Sequence, residues 1–409
     1  MFAFIKKLDR NSRSTLFTCF FIYMCSGIYT LVMGSVMPDL KAAYHLSDTL
    51  SGVLLSAHSA GNMIAGFVSA LIPLYLGERR SITVLASMLA IGFVMLLVSG
   101  NPVWMFLAFV LTGFGRGSVT NFNNRTVNVV SGGSPAAANL LHGSFAVGAI
   151  GAPMLFLAVR TWLGWRAAVI VVVCIGAVGI WRLTRLQLEN DRPDRKNKTN
   201  RTLCFMKNPS FLILAAMMFF YLCAEYAING WLVTYIQSKQ SLLSSFGATG
   251  EELTNAVRAY SQSMAALLWM VILVGRLFCA AMSAKVSQKL MMLVASIGVA
   301  VFYGLMLAGS SIEVVTVCVA GLGFCMAGIC PMIYSDAAIF TNTYPMATSI
   351  ILAIGSTGAI LMPAIVGALA ERFGFEGGMS AILVAVVLLV VFSLLNVVVK
   401  TRKPAQTQL

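Results

Sequence analysis

The 409-residue chain contains few charged residues. Asp, Glu, Lys and Arg together make up only 10% of it, whereas 59% of the residues are hydrophobic and the mean hydropathy is +0.87. An ordinary soluble domain is roughly a quarter charged. So few polar groups cannot cover the surface of a water-soluble protein of this size. The composition therefore predicts an integral membrane protein whose outer surface faces lipid.

Residues that carry enzyme chemistry are also scarce, with 14 acidic residues and 3 histidines. The sequence has no His-Glu-x-x-His, no Gly-x-Ser-x-Gly and no phosphate-binding loop ending in Gly-Lys-Ser/Thr. The nine cysteines show neither metal-ligand spacing nor a pattern of extracellular pairs. We therefore expect no enzymatic activity, no cofactor, no bound metal and no disulfide.

Long apolar runs dominate the chain instead. A helix needs about 20 apolar residues to cross the hydrocarbon core of a bilayer. Twelve runs meet this length, and they predict an all-α integral membrane protein with twelve transmembrane helices. The runs lie approximately at residues 15–37, 49–72, 81–99, 103–129, 136–158, 166–183, 211–236, 259–283, 290–308, 314–335, 346–369 and 377–399.

The net charge is +14, and the basic residues behind it are distributed as the predicted topology requires. If both termini are cytoplasmic, the inner segments hold 19 Lys and Arg residues and the outer loops hold 6. An excess of basic residues on the cytoplasmic side is the general rule for membrane proteins. We therefore expect cytoplasmic termini, a location in the plasma membrane (the inner membrane of a bacterium), and no nucleic-acid partner. The first run is long and lacks a small-residue cleavage pattern, which predicts an uncleaved span.

The most polar stretch of the chain, residues 182–210, separates six apolar runs from the other six. It predicts a cytoplasmic linker between an N-terminal bundle, residues 1–181, and a C-terminal bundle, residues 211–409. The two halves also share a pattern at an offset of 210 residues, which consists of the pairs Pro135 and Pro345, Pro153 and Pro363, and Gly148 and Gly358. These matches predict two pseudo-symmetric six-helix bundles, with a binding site near the middle of the bilayer.

Glu225 is the one acidic residue near the centre of a predicted span. Tyr221 and Asn229 lie four residues to either side of it, so that one helical face is polar over two turns. A carboxyl group in an apolar environment needs a partner or a function. Glu225 can therefore pair with another group and hold helices together, or it can bind and release a proton during transport. We favour proton coupling.

The fourth run is unusually rich in polar side chains, with the sequence GFGRGSVTNFNNRTVN at residues 113–128. Such side chains must face protein or a water-filled cavity. Hydrogen bonding between helices is one explanation, and solute binding is the other. For binding we select Arg116, Thr120, Asn121 and Asn124 in this run. From other runs we add His58, Asn62, His142, Tyr221, Asn229 and Trp231, and Arg276 is assigned to a gate.

Twelve runs in two similar halves with a basic central loop resemble the major facilitator superfamily over essentially the whole chain. That family carries the motif Gly-x-x-x-Asp-Arg-x-Gly-Arg-Arg after its second helix, where it latches a gate. Only Gly77 and the pair Arg79 and Arg80 match here, and the acid is missing. The corresponding residues are Ala70, Leu74, Tyr75, Gly77, Glu78, Arg79 and Arg80.

Four segments are similar to the fucose permease branch and related hexose transporters, namely TNFNNRTVNVVSGG, NLLHGSFAVGAIGAP, EYAINGWLVTY and WMVILVGRLF. This resemblance implies symport of a sugar with H+ or Na+. The fucose permease carries functional acids on its first and fourth helices, and this chain has none there. The resemblance therefore places coupling on Glu225, or it implies a different solute.

The residues and the resemblance together predict a secondary active transporter for a small polar solute, a sugar or sugar derivative, driven by H+ symport. Na+ stays open as the coupling ion, and each chain is expected to function as a monomer in the lipid bilayer. A transporter of organic anions or acidic sugars, with Arg116 and His142 binding the anion, is an alternative. A drug/H+ antiporter and a sensor that no longer transports are two others.

Overall fold

The computed structural model describes residues 8–186, 204–243, 246–247, 249–283, 285–341, 344 and 346–399. Within them the regular elements are all helical, and no strand occurs. A short 3-10 helix spans Cys204–Lys207. The α-helices are α1 (Arg10–Tyr44), α2 (Asp48–Leu71), α3 (Pro73–Leu76), α4 (Glu78–Val98), α5 (Pro102–Val130), α6 (Pro135–Thr184), α7 (Pro209–Ser238), α8 (Gln240–Leu243), α9 (Gly250–Met282), α10 (Gln288–Ala308), α11 (Ile312–Met326), α12 (Ile329–Asp336), α13 (Ala338–Thr341) and α14 (Met346–Val398).

The starts of two long helices follow directly from the sequence. Asn101 and Asn208 each precede a proline, and each side-chain carbonyl accepts hydrogen bonds from backbone N–H groups in the first turn of α5 or α7. Asparagine is a preferred N-cap, and proline fits the first helical position because its missing N–H would have no partner there. The Asn-Pro pairs therefore fix where α5 and α7 begin.

Nine helices in the described part of the chain are long and apolar enough to cross a membrane. This confirms the prediction of a multi-pass integral membrane protein. Most predicted runs lie within one helix, although the helices extend beyond the apolar residues. The first run, predicted at 15–37, is part of the 35-residue helix Arg10–Tyr44.

Helices α6 and α14 are much longer than a single crossing requires. They have 50 and 53 residues, and each is interrupted near its middle, at Gly164 (φ 82°) and Gly374 (φ 76°) respectively. At about 1.5 Å per residue, 50 and 53 residues of straight helix would measure about 75 Å and about 80 Å, compared with a hydrocarbon core of about 30 Å. Positive φ values are accessible to glycine because it has no Cβ atom. The two glycines again lie 210 residues apart.

The predicted run at 314–335 is divided between α11 and α12. The helix stops after Met326, and Ala327 and Gly328 form a turn before α12 begins. Pro331 explains the position of this break, because it lacks the N–H that would bond to the carbonyl of Ala327, four residues earlier.

The described helices group into two compact units. Unit 1 contains Met1–Arg195 together with Arg258–Ala266, and unit 2 contains Lys196–Val257 together with Leu267–Leu409. The middle of the predicted linker, residues 187–203, lies outside the described residues, as does Pro345. Part of α9, Arg258–Ala266, belongs to unit 1, which the division of the sequence at 182–210 does not anticipate.

Close backbone contacts hold each unit together at equivalent glycines. A Cβ atom on Gly148 of α6 would overlap the carbonyl oxygen of Met24 in α1, and one on Gly358 of α14 would overlap that of Phe219 in α7. Small residues allow helix backbones to approach in this way. The glycine pair that the sequence repeats at an offset of 210 therefore makes the same kind of contact in both units.

The ends of the long helices are tied in a similar way in both units. The Arg79 guanidinium donates to the carbonyl of Thr184, the last residue of α6. The Lys289 ammonium donates to the carbonyls of Asn396 and Val399 at the end of α14, with Nζ to Asn396 O measuring 2.8 Å. Basic side chains are favoured at the carbonyl end of a helix. Arg79 and Lys289 are also separated by 210 residues.

Replacing Gly148 with alanine should destabilise unit 1, because the added methyl group has no room beside Met24. We expect a loss of about 1–3 kcal/mol. Gly151, one turn along α6, has open space at the Cβ position. Its replacement by alanine should leave stability unchanged or raise it slightly, since alanine favours helix. Thermal denaturation in detergent checks both variants, and equal melting temperatures would contradict the packing argument.

Candidate functional site

A hydrogen-bond chain in unit 1 fixes the protonation pattern of His58. The Thr112 hydroxyl donates to the carbonyl of Phe109 at 2.7 Å, and its oxygen lies 2.9 Å from Nδ1 of His58. With the single hydroxyl hydrogen assigned to the bond with Phe109, Thr112 accepts from His58, and this assignment puts the hydrogen of the imidazole on Nδ1. A neutral imidazole with a proton on Nδ1 is an acceptor at Nε2. That Nε2 atom is buried and has no hydrogen-bond partner.

Other predicted binding residues line the same contact between α2 and α5. Arg116 lies one turn after Thr112 and is close enough to interact electrostatically with His58. Asn62 lies one turn after His58, with its backbone and side-chain oxygens beside Gly117. Thr120 donates its hydroxyl hydrogen to the carbonyl of Arg116 at 3.0 Å, which leaves its oxygen as an acceptor. We call His58, Asn62, Thr112, Arg116 and Thr120 the α2–α5 cluster.

The remaining polar residues of α5 have different environments. Asn121 is exposed and donates to the Ser69 hydroxyl at 2.9 Å, and Asn124 is also exposed. Asn123, which was not among the predicted binding residues, is fully buried, and neither of its amide atoms has a hydrogen-bond partner. His142 of α6 is exposed and packs its ring edge-on against Tyr23 of α1, with the ring centroids 5.7 Å apart.

Unit 2 places Glu225 in a cluster of polar groups from three elements. Its carboxyl group forms a hydrogen bond with the Tyr221 hydroxyl, one turn earlier on α7. Arg276 of α9 acts electrostatically on the same tyrosine, and both Glu225 and Arg276 act on Cys330 of α12. Tyr334, one turn after Cys330, is also affected by Glu225. We call Tyr221, Glu225, Arg276, Cys330 and Tyr334 the Glu225 cluster.

Arg276, which the sequence analysis assigns to a gate, lies in the neighbourhood of Glu225. An arginine supplies positive charge that favours the ionised form of a nearby carboxyl group. Asn229, one turn beyond Glu225, is half-buried, and its side-chain oxygen accepts from the indole N–H of Trp269 at 2.9 Å. The polar face predicted for α7 therefore exists, and α9 contributes to it.

Trp231 requires a correction. It was predicted to stack on a solute, but its side chain is fully buried. Its indole N–H donates to the carbonyl of Pro363 at 3.1 Å, and its ring packs on Phe375. A tryptophan with no accessible face and a satisfied N–H is a packing residue, and we leave it out of the proposed binding set.

One predicted gate residue, Arg79, contacts a helix end within unit 1. Arg79 bonds to the end of α6, as described above, and Arg80 is exposed. Glu78 lies 3.6 Å from the guanidinium of Arg125 in α5. Glu78, at the start of α4, therefore supplies an acid that pairs with Arg125 of α5, although the acid of the family motif itself is missing. Because Arg125 is largely exposed, this pair contributes little to stability.

Two buried polar residues were missed by the sequence analysis. Gln262 of α9 is almost fully buried and donates to the carbonyl of Ser35 in α1 at 3.1 Å, within unit 1. Lys239 follows α7 and donates to the Tyr235 hydroxyl and to the Leu307 carbonyl at the end of α10. Burial lowers the pKa of the Lys239 ammonium, while the carboxylate of Glu376 opposes that shift. Lys239 lies just beyond the end of α7 and Gln262 lies inside α9, and the burial of each depends on packing that sequence alone does not reveal.

No group of three or more His, Cys, Asp or Glu side chains suited to a metal ion occurs among the described residues. The polar groups instead form two clusters, one rich in neutral hydrogen-bonding groups and one containing a carboxyl group. The first is suited to binding a polar solute, and the second can exchange a proton.

Comparison with known proteins gives a consistent classification. Residues 19–251 match the family model described as Major Facilitator Superfamily. The fold is similar to that of a bacterial homolog of the human lysosomal transporter Spinster in an inward-facing and occupied conformation, with a TM-score of 0.75 and 14% sequence identity. The match covers 98% of this chain and 100% of the homolog. The nucleoside transporter NupG has a TM-score of 0.73 and 13% identity, covering 95% of this chain and 99% of its own. No curated protein sequence matches this chain.

Replacing Thr112 with valine should destabilise unit 1 by about 1 kcal/mol, because the shape is kept while the acceptor for His58 is lost. Thr126 on the same helix provides a matched control, since its hydroxyl is buried and has no hydrogen-bond partner. Its replacement by valine should be neutral or stabilising. Denaturation of the two variants in detergent distinguishes them, and a Thr126 variant as unstable as the Thr112 variant would refute the assigned hydrogen bond.

Proposed function

Because the chain belongs to the major facilitator superfamily, we propose that it is a secondary active transporter that takes up a small polar solute together with H+. The solute class we propose is a sugar or sugar derivative. The transporter would work as a monomer by alternating access in the plasma membrane, the inner membrane of a bacterium, with both termini in the cytoplasm.

The helix lengths support twelve membrane crossings. The breaks at Gly164 and Gly374 divide α6 and α14 into two spans each, which adds two spans to the nine long apolar helices. Helix α2 has 24 residues, enough to cross the bilayer, and its polar side chains His58 and Asn62 face α5. The glycine and basic-residue contacts repeated 210 residues apart support a duplication of six spans.

The environment of Glu225 is the observation that carries the proton-coupling proposal. This carboxyl group is half-buried on α7, hydrogen-bonded to Tyr221 and near Arg276. A phenol can donate to an ionised carboxylate or accept from a protonated one, so both protonation states have a partner. Glu225 is therefore suited to binding and releasing a proton.

The α2–α5 cluster supports a polar, uncharged solute. It offers the bare Nε2 acceptor of His58, the amide of Asn62 and the oxygen of Thr120, which together can accept and donate hydrogen bonds to hydroxyl groups. Buried groups of this kind discriminate strongly against solutes that cannot satisfy them. We propose that a sugar hydroxyl donates to Nε2, and that Arg116, Asn121, Asn124 and His142 supply further contacts in unit 1. Tyr221 and Asn229 are proposed separately as solute contacts within unit 2.

One observation favours a second solute class. Arg116 is half-buried beside a neutral imidazole, and a guanidinium is well suited to bind a carboxylate or phosphate. An acidic sugar or another organic anion would satisfy it.

Proton uptake in proteoliposomes tests the proposal. The solutes are neutral sugars, nucleosides, acidic sugars and lipophilic cations, with a pH-sensitive dye inside the vesicles. We expect a neutral sugar or a nucleoside to drive proton uptake in the wild type. Glu225→Gln should exchange the solute without moving protons, because an amide cannot carry one. Glu313→Gln, which changes an exposed acid at the start of α11, is the control and should match the wild type.

Retention of full proton uptake by Glu225→Gln would overturn the assignment of Glu225. Transport restricted to acidic sugars and lost in Arg116→Gln would support the organic-anion class. If none of these solutes is transported, the proposed transport activity is wrong.

A further inference from the structure

The Tyr221 hydroxyl connects Glu225 to the break between α11 and α12. This hydroxyl lies 3.3 Å from the carbonyl oxygen of Met326, to which it donates, and it also forms a hydrogen bond with the Glu225 carboxyl. Met326 is the last residue of α11. One buried phenol therefore contacts both a titratable group and the point at which a membrane helix is interrupted.

A tyrosine hydroxyl has a single hydrogen, so the two contacts depend on the protonation state of Glu225. An ionised carboxylate can only accept, and a charged acceptor attracts the hydrogen more strongly than a neutral carbonyl. A protonated carboxyl can instead donate to the phenol oxygen, which frees the phenol hydrogen for Met326. Protonation of Glu225 therefore directs the hydrogen of the Tyr221 hydroxyl to the carbonyl of Met326 at the helix break. Each of the two hydrogens then has one acceptor.

The surroundings of the break make it sensitive to a single hydrogen bond. The carbonyls at the end of a helix lack their usual partners within the helix, and Pro331 supplies no N–H to this turn. Gly328 packs against Cys279 of α9, so closely that a Cβ atom would overlap the sulfur. Tyr221 on α7 and Cys279 on α9 thus hold the turn from two helices.

The far end of α12 is tied separately. The Asn396 amide donates to the Asp336 carboxylate at 2.9 Å, and the Gln288 amide donates to the Ser335 hydroxyl at 2.9 Å. A short helix that is fixed at one end and adjoins a turn at the other can tilt about its fixed end. A change at Met326 would therefore change the position of α12, which carries Cys330 and Tyr334.

We propose that Tyr221 is a positioning residue that transmits the protonation state of Glu225 to the α11–α12 break. Protonation of Glu225 strengthens the bond from Tyr221 to Met326 and stabilises the break, and loss of the proton releases it. This inference rests on the proposed proton coupling and specifies its mechanical output. The other titratable or charged groups around Glu225 are Tyr226 on α7, Arg276 on α9, and Cys330 and Tyr334 on α12.

Hydrogen exchange of the backbone amides at residues 327–333, apart from Pro331, which has none, tests the relay in the full chain, reconstituted in lipid nanodiscs. Rates are corrected for intrinsic exchange between about pH 5 and about pH 9, the range in which carboxyl groups in apolar sites titrate. In the wild type, protection should fall by roughly three- to tenfold as pH rises, the value of one hydrogen bond. Glu225→Gln should stay protected at every pH, because its amide donates to Tyr221 as a protonated carboxyl does.

Tyr221→Phe should exchange as fast as the wild type at high pH, and adding Glu225→Gln to it should have no further effect. Tyr303→Phe is the matched control, because Tyr303 is a buried tyrosine of the same unit that donates to the carbonyl of Met379 at 2.8 Å. It should retain the pH dependence of the wild type.

Three results would overturn the relay. The first is protection in the wild type that does not change with pH, and the second is an effect of Glu225→Gln that is equally large in the wild type and in Tyr221→Phe. The third is a loss of protection in Tyr303→Phe that matches the loss in Tyr221→Phe. If Tyr221→Phe does not fold, the comparison of wild type with Glu225→Gln still decides.

Exchange needs no solute, so the relay and the transport function fail separately. Loss of proton uptake in Glu225→Gln with no pH effect at residues 327–333 removes only the relay. A working relay without proton uptake removes only the proposed coupling.

Discussion

The interior of both units depends on buried hydroxyl groups that hydrogen-bond to groups on two helices. Water is not available there to satisfy an unpaired donor or acceptor. The hydroxyl of Thr112 bonds to its own helix and accepts from His58 on the next one. The hydroxyl of Tyr221 contacts Glu225 on its own helix and Met326 on another. In both cases one hydroxyl joins two helices, and its single hydrogen fixes which neighbour must donate.

Glycine contacts bring the helices close enough for these bonds to form. Gly113 on α5 lies against the carbonyl of His58, one residue from the threonine to which that histidine donates. Gly148 and Gly358 make comparable contacts in the two units. The polar clusters thus depend on backbone spacing set by residues that have no side chain. The recurrence of this glycine pair at one sequence offset explains why the two units share this kind of contact.

The sequence was sufficient to predict the membrane helices and the polar face of α7, because apolar runs and helical periodicity are local properties. It did not reveal which residues surround Glu225 in the folded protein. Arg276 lies more than fifty residues away along the chain, and only the packing of α9 and α12 around α7 places it near that carboxyl group. Trp231 was misassigned for the same reason, because its burial depends on Pro363 and Phe375. The break before α12 had a local signal in Pro331, which apolar content alone does not detect.

The central claim is that Glu225 carries the transported proton, and a reversal measurement tests it most directly. Wild-type proteoliposomes are held in an outward solute gradient that is opposed by a pH gradient, and the pH difference at which net solute flux stops is recorded. Our account predicts that this balance point shifts with the solute gradient in a ratio of one proton to one solute. The Glu225→Gln variant should exchange labelled solute across the membrane but show no net solute flux, whatever the pH difference. A balance point in this variant that still follows the pH gradient would show that another group carries the proton.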